Sequence, residues 1–302
     1  MPFEWFVAVR YMRDAKAQTA LILSAVSVGV SVIVFLSALI NGLQASLVQQ
    51  TLGSQPHVTL QPPEEQARPL DDGKVAVARN VEKTSQRLKS IDEWPQVVAT
   101  VESVPGVVAV SPTVTGAGFA ERGNAKRPIV VRGIDPASFL SVIDVRAKTT
   151  LGRFDVSGAN VVIGKDLADD LGVTVGDKIR VTTTEGIGDV ETITGVFDLG
   201  NKGVDRTWVL TSLRQAQSLY ALPGGATTIE IKVAEVFDAE RIAGEIRDRT
   251  GLRSDSWMKL NAQLLVGLRS QNSSKYLIEF FVVLAVALGI ASVLIVSVVQ
   301  KS

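Results

Sequence analysis

AQTALILSAVSVGVSVIVFLSALI, from Ala17 to Ile40, carries no charged residue and consists mostly of Val, Leu, Ile, Ala and Ser. Wound as a helix it is about 36 Å long, enough to cross a hydrocarbon core of about 30 Å. A second uncharged run, FFVVLAVALGIASVLIVSVV from Phe280 to Val299, reaches about 30 Å by the same rise per residue. Glu279 stands just before it, where headgroups and water begin. A buried core helix of this length without a charge is rare, so both runs read as membrane spans. The first is too long for the apolar core of a signal peptide, and Ser37 to Ala45 offers no Ala-x-Ala cleavage site. It reads as an uncleaved anchor.

Arg10, Arg13 and Lys16 precede the first span, whereas Asn41 to Pro62 holds no Lys or Arg. The positive-inside bias therefore places the N-terminus in the cytoplasm, residues 41–275 outside, and Gln300 to Ser302 back inside. Phe3, Phe6, Val7 and Tyr11 share one helical face, so residues 1–16 are expected to lie as an interfacial helix on the inner leaflet. Span one is assigned to 17–40 and span two to 276–299. Within them Ala25 and Gly29, and Ala285 and Gly289, repeat a small-xxx-small spacing that lets helix backbones approach closely, so these four are the candidate helix-packing residues. Neither span has an ionisable residue in its middle, which speaks against an ion or proton path through them.

The segment between the spans alternates strand and helix patterns. Pro62 to Asn80 is rich in Pro, Glu, Gln, Asp and Gly and reads as a flexible excursion. His57 to Leu60 is strand-like, Ile91 to Val104 helical, and Val107 to Val110 strand-like again. Thr228 to Val233 alternates, and Phe237 to Thr250 forms an amphipathic helix ending at Gly251. Two β-α-β units about 100 residues apart predict a split, ferredoxin-like layer of the kind seen in porter domains. Between them, at about 125–222, lies an expected β-rich insert. Its short strands are 129–134, 160–163, 178–184, 191–197 and 208–210, with helical pieces at 166–171 and 212–220. Trp257 to Lys275 reads as a stalk helix leading into the second span. The fold class is thus a membrane protein of α+β type, two transmembrane helices flanking one outer domain.

Composition narrows the chemistry. Lys plus Arg and Asp plus Glu both total 31, so no basic excess points to nucleic acid. Cysteine is absent and histidine occurs once, at His57, leaving little material for thiolate or zinc sites or for a Ser/His triad. Gly158 to Lys165 only superficially resembles a phosphate loop: five residues separate its glycines, and Asp166 follows the lysine where Ser or Thr is needed. Gly116 and Gly118 lack the third glycine of a dinucleotide motif. Asp169 and Asp170 are adjacent and diverge on a helix. No catalytic, cofactor-binding or metal-binding residue is assigned, and the chain is expected not to be an enzyme.

Phe6 to Arg13, Val28-Gly29-Val30, Asn41-Gly42-Leu43 and Leu52-Gly53-Ser54-Gln55-Pro56-His57-Val58 together resemble the start of the LolC/LolE lipoprotein-releasing permeases, within the MacB-like, FtsX-domain class of ABC transporters. The likeness continues through Arg132-Gly133-Ile134-Asp135-Pro136, Ile163-Gly164-Lys165-Asp166-Leu167-Ala168, Leu171-Gly172-Val173, Val175-Gly176-Asp177 and Gln215-Ala216-Gln217. The resemblance implies a permease whose third and fourth spans follow Ser302, with Gln300, Lys301 and Ser302 bordering the segment that couples to the ATPase. It implies a partner ATPase that binds ATP and Mg, a second permease subunit, membrane lipids, and for the Lol subtype a periplasmic lipoprotein carrier. The expected function is extraction of lipoproteins from the inner membrane. A MacB-like exporter of peptides or small molecules is the alternative within the class, and a two-span sensor with an outer ligand domain is the alternative outside it.

Overall fold

The computed structural model describes residues 16–63 and 88–301. The expected interfacial helix, apart from Lys16, lies outside them, as do most of the Pro62–Asn80 excursion and Ser302. In chain order the elements are α1 (Lys16–Ser54), β1 (Val58–Gln61), α2 (Trp94–Glu102), β2 (Val107–Arg122), β3 (Ala125–Ile134), α3 (Pro136–Val142), β4 (Thr149–Gly152), β5 (Asn160–Gly164) and α4 (Lys165–Leu171). There follow β6 (Lys178–Thr183), β7 (Gly188–Phe197), α5 (Lys202–Asp205), β8 (Trp208–Ser212), α6 (Leu213–Leu219), β9 (Thr228–Val233), α7 (Ala239–Thr250), β10 (Arg253–Ser256), α8 (Trp257–Leu260) and α9 (Ala262–Lys301).

The chain divides into two units, one of residues 1–48 with 262–302 and one of 49–261. The first is built from α1 and α9. Their apolar stretches of membrane-crossing length are Val26–Ser46 and Ala262–Ser292.

The second unit is organised by one hydrogen-bonded sheet in the order β10-β1-β9-β2-β3-β8-β5-β7-β4, with β6 paired to β2 and β7. Strand β2 holds it together. Its first part pairs with β9, its last with β6, and Thr113–Arg122 pairs with β3 along the other edge. The expected β-rich segment is therefore joined to the rest by a continuous strand. Alternation then puts a core on each face. Val161, Ile163, Val131 and Ile193 meet Leu167 of α4 and Leu219 of α6. Val162, Ile134, Phe197 and Leu210 meet Phe139 of α3 and Val204 of α5. Being covered on both sides is why β5 reads as the unbroken apolar run Val161-Val162-Ile163. Each such Leu, Ile or Phe contributes roughly 1.5–3 kcal/mol by leaving water.

At the other end of the sheet, α2 follows β1 and α7 follows β9. Helix α7 buries Ile242, Ala243 and Ile246, one stripe, and stops at Gly251, whose φ of 68° is the left-handed conformation glycine adopts at no steric cost. Two expectations shift. The helix expected from Ile91 begins at Trp94, because Glu93 takes φ 47° and breaks the helical path. The stalk expected over 257–275 is two pieces, α8 and then α9 from Ala262. Asn261 ends α8 with φ −112° and ψ 33°, its N–H and its amide both held by the Trp257 carbonyl. Strand β4 and helix α3 had no periodic signal, being only 4 and 7 residues long.

Candidate functional site

The candidate site has two parts, each inside one unit: the seam between the long helices, and the bonds made by the first residues of the folded unit. In the helix pair, Gly29 faces α9: a Cβ placed there would come within 2.5 Å of Val286 Cγ2. Ala285 is exposed, and a Cβ at Gly289 would meet nothing within 4 Å. Of the four small residues singled out, the structure thus places Gly29 against the partner helix and leaves Ala285 and Gly289 exposed. Ala285 stands one helical step of about 100° before Val286, which turns it off the seam, whereas Gly289, seven residues after Val282, shares nearly the same face of α9 but meets open space there. The side chain of Ala25 lies outside the description. Gln300 and Lys301 form the last turn of α9.

Polar atoms mark the same seam. Ser37 Oγ donates to Glu279 Oε1 at 2.7 Å, Lys275 Nζ stands 3.9 Å from that oxygen, and Gln44 Nε2 donates to the Leu268 carbonyl at 3.4 Å. Between apolar helices such contacts fix register more than they add stability.

In the folded unit, three residues at and just beyond the C-terminal end of α1 are tied to three distant segments. Ser54, fully buried, accepts from Asn201 Nδ2 at 3.2 Å. Gln55 Oε1 accepts from Asn261 Nδ2 at 3.1 Å. His57 N–H donates to the Ile231 carbonyl, and the His57 carbonyl accepts from Trp257 N–H, both at 2.9 Å. The same Asn201 caps α5 by accepting from Gly203 N–H at 3.1 Å. Trp257, also fully buried, donates through Nε1 to the Val236 carbonyl at 2.8 Å.

Electrostatics reinforce this root. Burial pushes the His57 imidazole below its ordinary value; the hydrogen bond with the Val233 backbone opposes that and the Lys232 charge adds to it. Burial works to raise the Asp255 carboxyl, yet Lys259 Nζ and Arg253 Nε, each at 2.6 Å, hold it below the usual range. Asp205, beside the Asn201 turn, is raised by burial, with Leu199 N–H opposing at 2.9 Å. Sequence reading missed Ser54, Asn201 and Asn261; the only local sign was an Asn one residue ahead of a short helix.

The stretch from Gly158 to Lys165 forms no phosphate loop. Asn160–Gly164 is strand β5, its backbone engaged by β7 and β8, and Lys165 stands 3.5 Å from Asp198. Among the described residues no group of three or more His, Asp or Glu side chains is placed to hold a metal ion.

Over residues 19–249 the sequence matches the MacB-like periplasmic core domain. The chain belongs to this family. It is 22% identical to the lipoprotein-releasing system transmembrane protein LolC of Neisseria meningitidis serogroup B, over 99% of this chain and 71% of that one. LolC of Xylella fastidiosa strain Temecula1 is 24% identical over 90% and 64%, and LolE of Haemophilus influenzae 22% over 79% and 56%. The chain therefore spans roughly three fifths to seven tenths of the length of these relatives. Among solved structures, the periplasmic region of MacB from Actinobacillus actinomycetemcomitans aligns with a TM-score of 0.42 at 13% identity, over 72% of this chain and 95% of that one. The MacB-like chain is thus an ABC permease chain of the LolC/LolE type, a membrane protein with a periplasmic domain.

Proposed function

We propose that the chain is the permease subunit through which a partner ATPase draws lipoproteins out of the inner membrane. ATP-driven closure of the ATPase moves the helix pair, and the motion reaches the periplasmic unit through the Ser54–His57 root. The observation that carries this reading is that root: one short stretch is bonded to residues 201, 231, 257 and 261, so displacement of the end of α1 acts on all of them together. The N-terminus faces the cytoplasm, residues 41–275 are periplasmic, and Gln300, Lys301 and Ser302 border the coupling segment. The chain supplies no nucleotide site of its own; ATP and Mg belong to the partner. A second permease subunit completes the transporter, and a periplasmic carrier receives the cargo. The strand order β10-β1-β9-β2 with α2 and α7 supports reading this part of the unit as a split β-α-β layer.

The family's MacB-like description favours, as second reading, export of peptides or small molecules by the same motion. Reconstitution of the full-length protein in liposomes with its ATPase and a fluorescent triacylated lipoprotein separates the readings. ATP-dependent release of lipoprotein to a soluble carrier is expected. Recovery of no ATPase with the protein, or hydrolysis without release, overturns the Lol reading. Because the sequence has no cysteine, Asp135→Cys and Lys202→Cys report topology: both are expected to label in intact spheroplasts with an impermeant maleimide.

A further inference from the structure

One hollow of the folded unit takes no part in this root. It measures about 410 Å³ and lies between Ser90–Pro95 and Ala221–Gly225. Strand register places it. Val58, just after α1, pairs with Ser256, just before α8, whereas the other end of β1, at Leu60, pairs with Ile229 at the start of β9. Ile91 N–H donates to the Ala226 carbonyl at 2.7 Å, two residues ahead of β9. The hollow therefore sits at the end of these strands opposite the one where the chain enters and leaves the unit.

Its lining has two characters. Trp94, Pro95, Leu222 and Pro223 are apolar, while Asp92 and Glu93 are exposed at the rim, and neither carboxylate has a partner among the described residues. Among the described residues no Lys or Arg lines it. The N-terminus of α2 opens here with about half a positive charge, too little to offset two carboxylates. The walls are preformed: Trp94 Nε1 donates to the Gly224 carbonyl and Gln217 Nε2 to the Gly225 carbonyl, both at 2.8 Å. Glu93 and Ala221 are the two non-glycine residues, among those described, held in the left-handed region, at φ 47° and 51°, and both line this hollow from segments far apart in sequence. Strain of this sort persists only where surrounding contacts over-determine it, and it gathers at ligand-binding features.

We infer that the hollow docks a cationic, apolar loop of another protein. A Lys or Arg head lies between Asp92 and Glu93, and its stem or a neighbouring aliphatic side chain covers Trp94 and Leu222. Charge complementarity selects this occupant over an anionic or purely apolar one. A lone Lys or Arg at such an exposed rim is weak; the apolar contact on a rigid floor supplies most of the selectivity.

The test uses the full chain in phosphatidylcholine nanodiscs with an environment-sensitive dye on Gln96→Cys, the added cysteine being unique. The probes are the blocked pentapeptide Leu-Lys-Leu-Arg-Leu and its Leu-Glu-Leu-Glu-Leu counterpart. Saturable binding of the cationic peptide is expected, weakened at least tenfold in D92K/E93K and at least fivefold in Trp94→Ala, and unchanged in Glu185→Lys, which reverses an exposed acid on the β6–β7 turn. Thermal unfolding of each variant distinguishes lost binding from lost folding, and Glu93→Gln offers a milder arm with an expected threefold loss. Equal binding by D92K/E93K, or preference for the acidic peptide, overturns the proposal. So does binding that emerges only after deletion of residues 64–87, because the chain's own Lys74, Arg79, Lys83 or Arg87 would then be the occupant.

Discussion

The two units place their side chains in opposite ways. In the helix pair, Phe35 is 66% exposed and Leu288 63%, while Lys275 and Glu279 turn toward the seam. In the folded unit, Leu167, Phe139 and Trp257 are fully buried, and most charges lie outside. The inversion identifies the solvent each was selected for. Hydrocarbon rewards outward apolar groups and interior polar bonds, while water rewards the reverse. The folded unit nonetheless buries one ion pair, Arg132 with Glu230, the guanidinium stacked 3.9 Å from the Trp208 ring and 5.1 Å from Phe139. Arg132 Nη1 and Glu230 Oε2 have no further partner, so the pair's attraction is spent largely on its own desolvation.

The largest test of the contrast is Glu230→Leu. It strands a buried guanidinium and is expected to lower the folded unit's stability by about 3–5 kcal/mol in urea unfolding of the full chain, whereas Arg132→Met with Glu230→Leu recovers most of the loss. A double variant as unstable as the single one would show that the pair fixes the core geometry. Next, Leu167→Ala is expected to cost about 2–5 kcal/mol, because it opens a cavity where α4 meets the sheet. Leu288→Ala, facing lipid, is expected to change unfolding in bicelles by less than about 0.5 kcal/mol. A large effect there would mean that this face is covered by protein.

The seam itself predicts a change far smaller than those in the folded unit. Ser37→Ala removes the donor to Glu279 and is expected to cost about 0.6 kcal/mol by steric trapping in bicelles, far below what a buried polar bond lost in the folded unit costs. His57 supplies a pH signature for the root. Its folded value lies below 6.5, so the folded state binds the proton more weakly than the unfolded chain. That contribution is intact above pH 6.5 and is lost as pH falls from there through the folded value. Chemical denaturation between pH 7.5 and 5 is expected to show the decline, and His57→Gln to flatten it. A small gain is expected at Ala221, which follows α6 in the left-handed conformation where glycine is usual. Relief of about 1–2 kcal/mol of steric cost is partly offset by the freer unfolded chain, so Ala221→Gly is expected to gain about 0.5 kcal/mol.

Much of this was legible in the sequence. Strands expected at 129–134, 160–163, 191–197 and 208–210 lie within β3, β5, β7 and β8, and the helix expected at 166–171 differs from α4 by one residue. Alternation and glycine punctuation are local signals, and they survive folding. The root was illegible for the opposite reason. Asn201 and Ser54 are 147 positions apart, and nothing in either neighbourhood requires the other. The small-residue rows were legible as rows, but which one met the partner helix depended on how each helix was turned about its axis.

The sequence alone determined the two apolar helices, their order, the absence of cysteine and the alternation of strand and helix between them, because hydropathy and periodicity are properties of consecutive residues. Tertiary structure decided which distant chains share the root, where Arg132 finds its carboxylate, and that Asp92, Glu93 and Trp94 meet Leu222 and Pro223 around one hollow. Those facts follow from strand order and register, and register is fixed by the summed burial of many side chains at once.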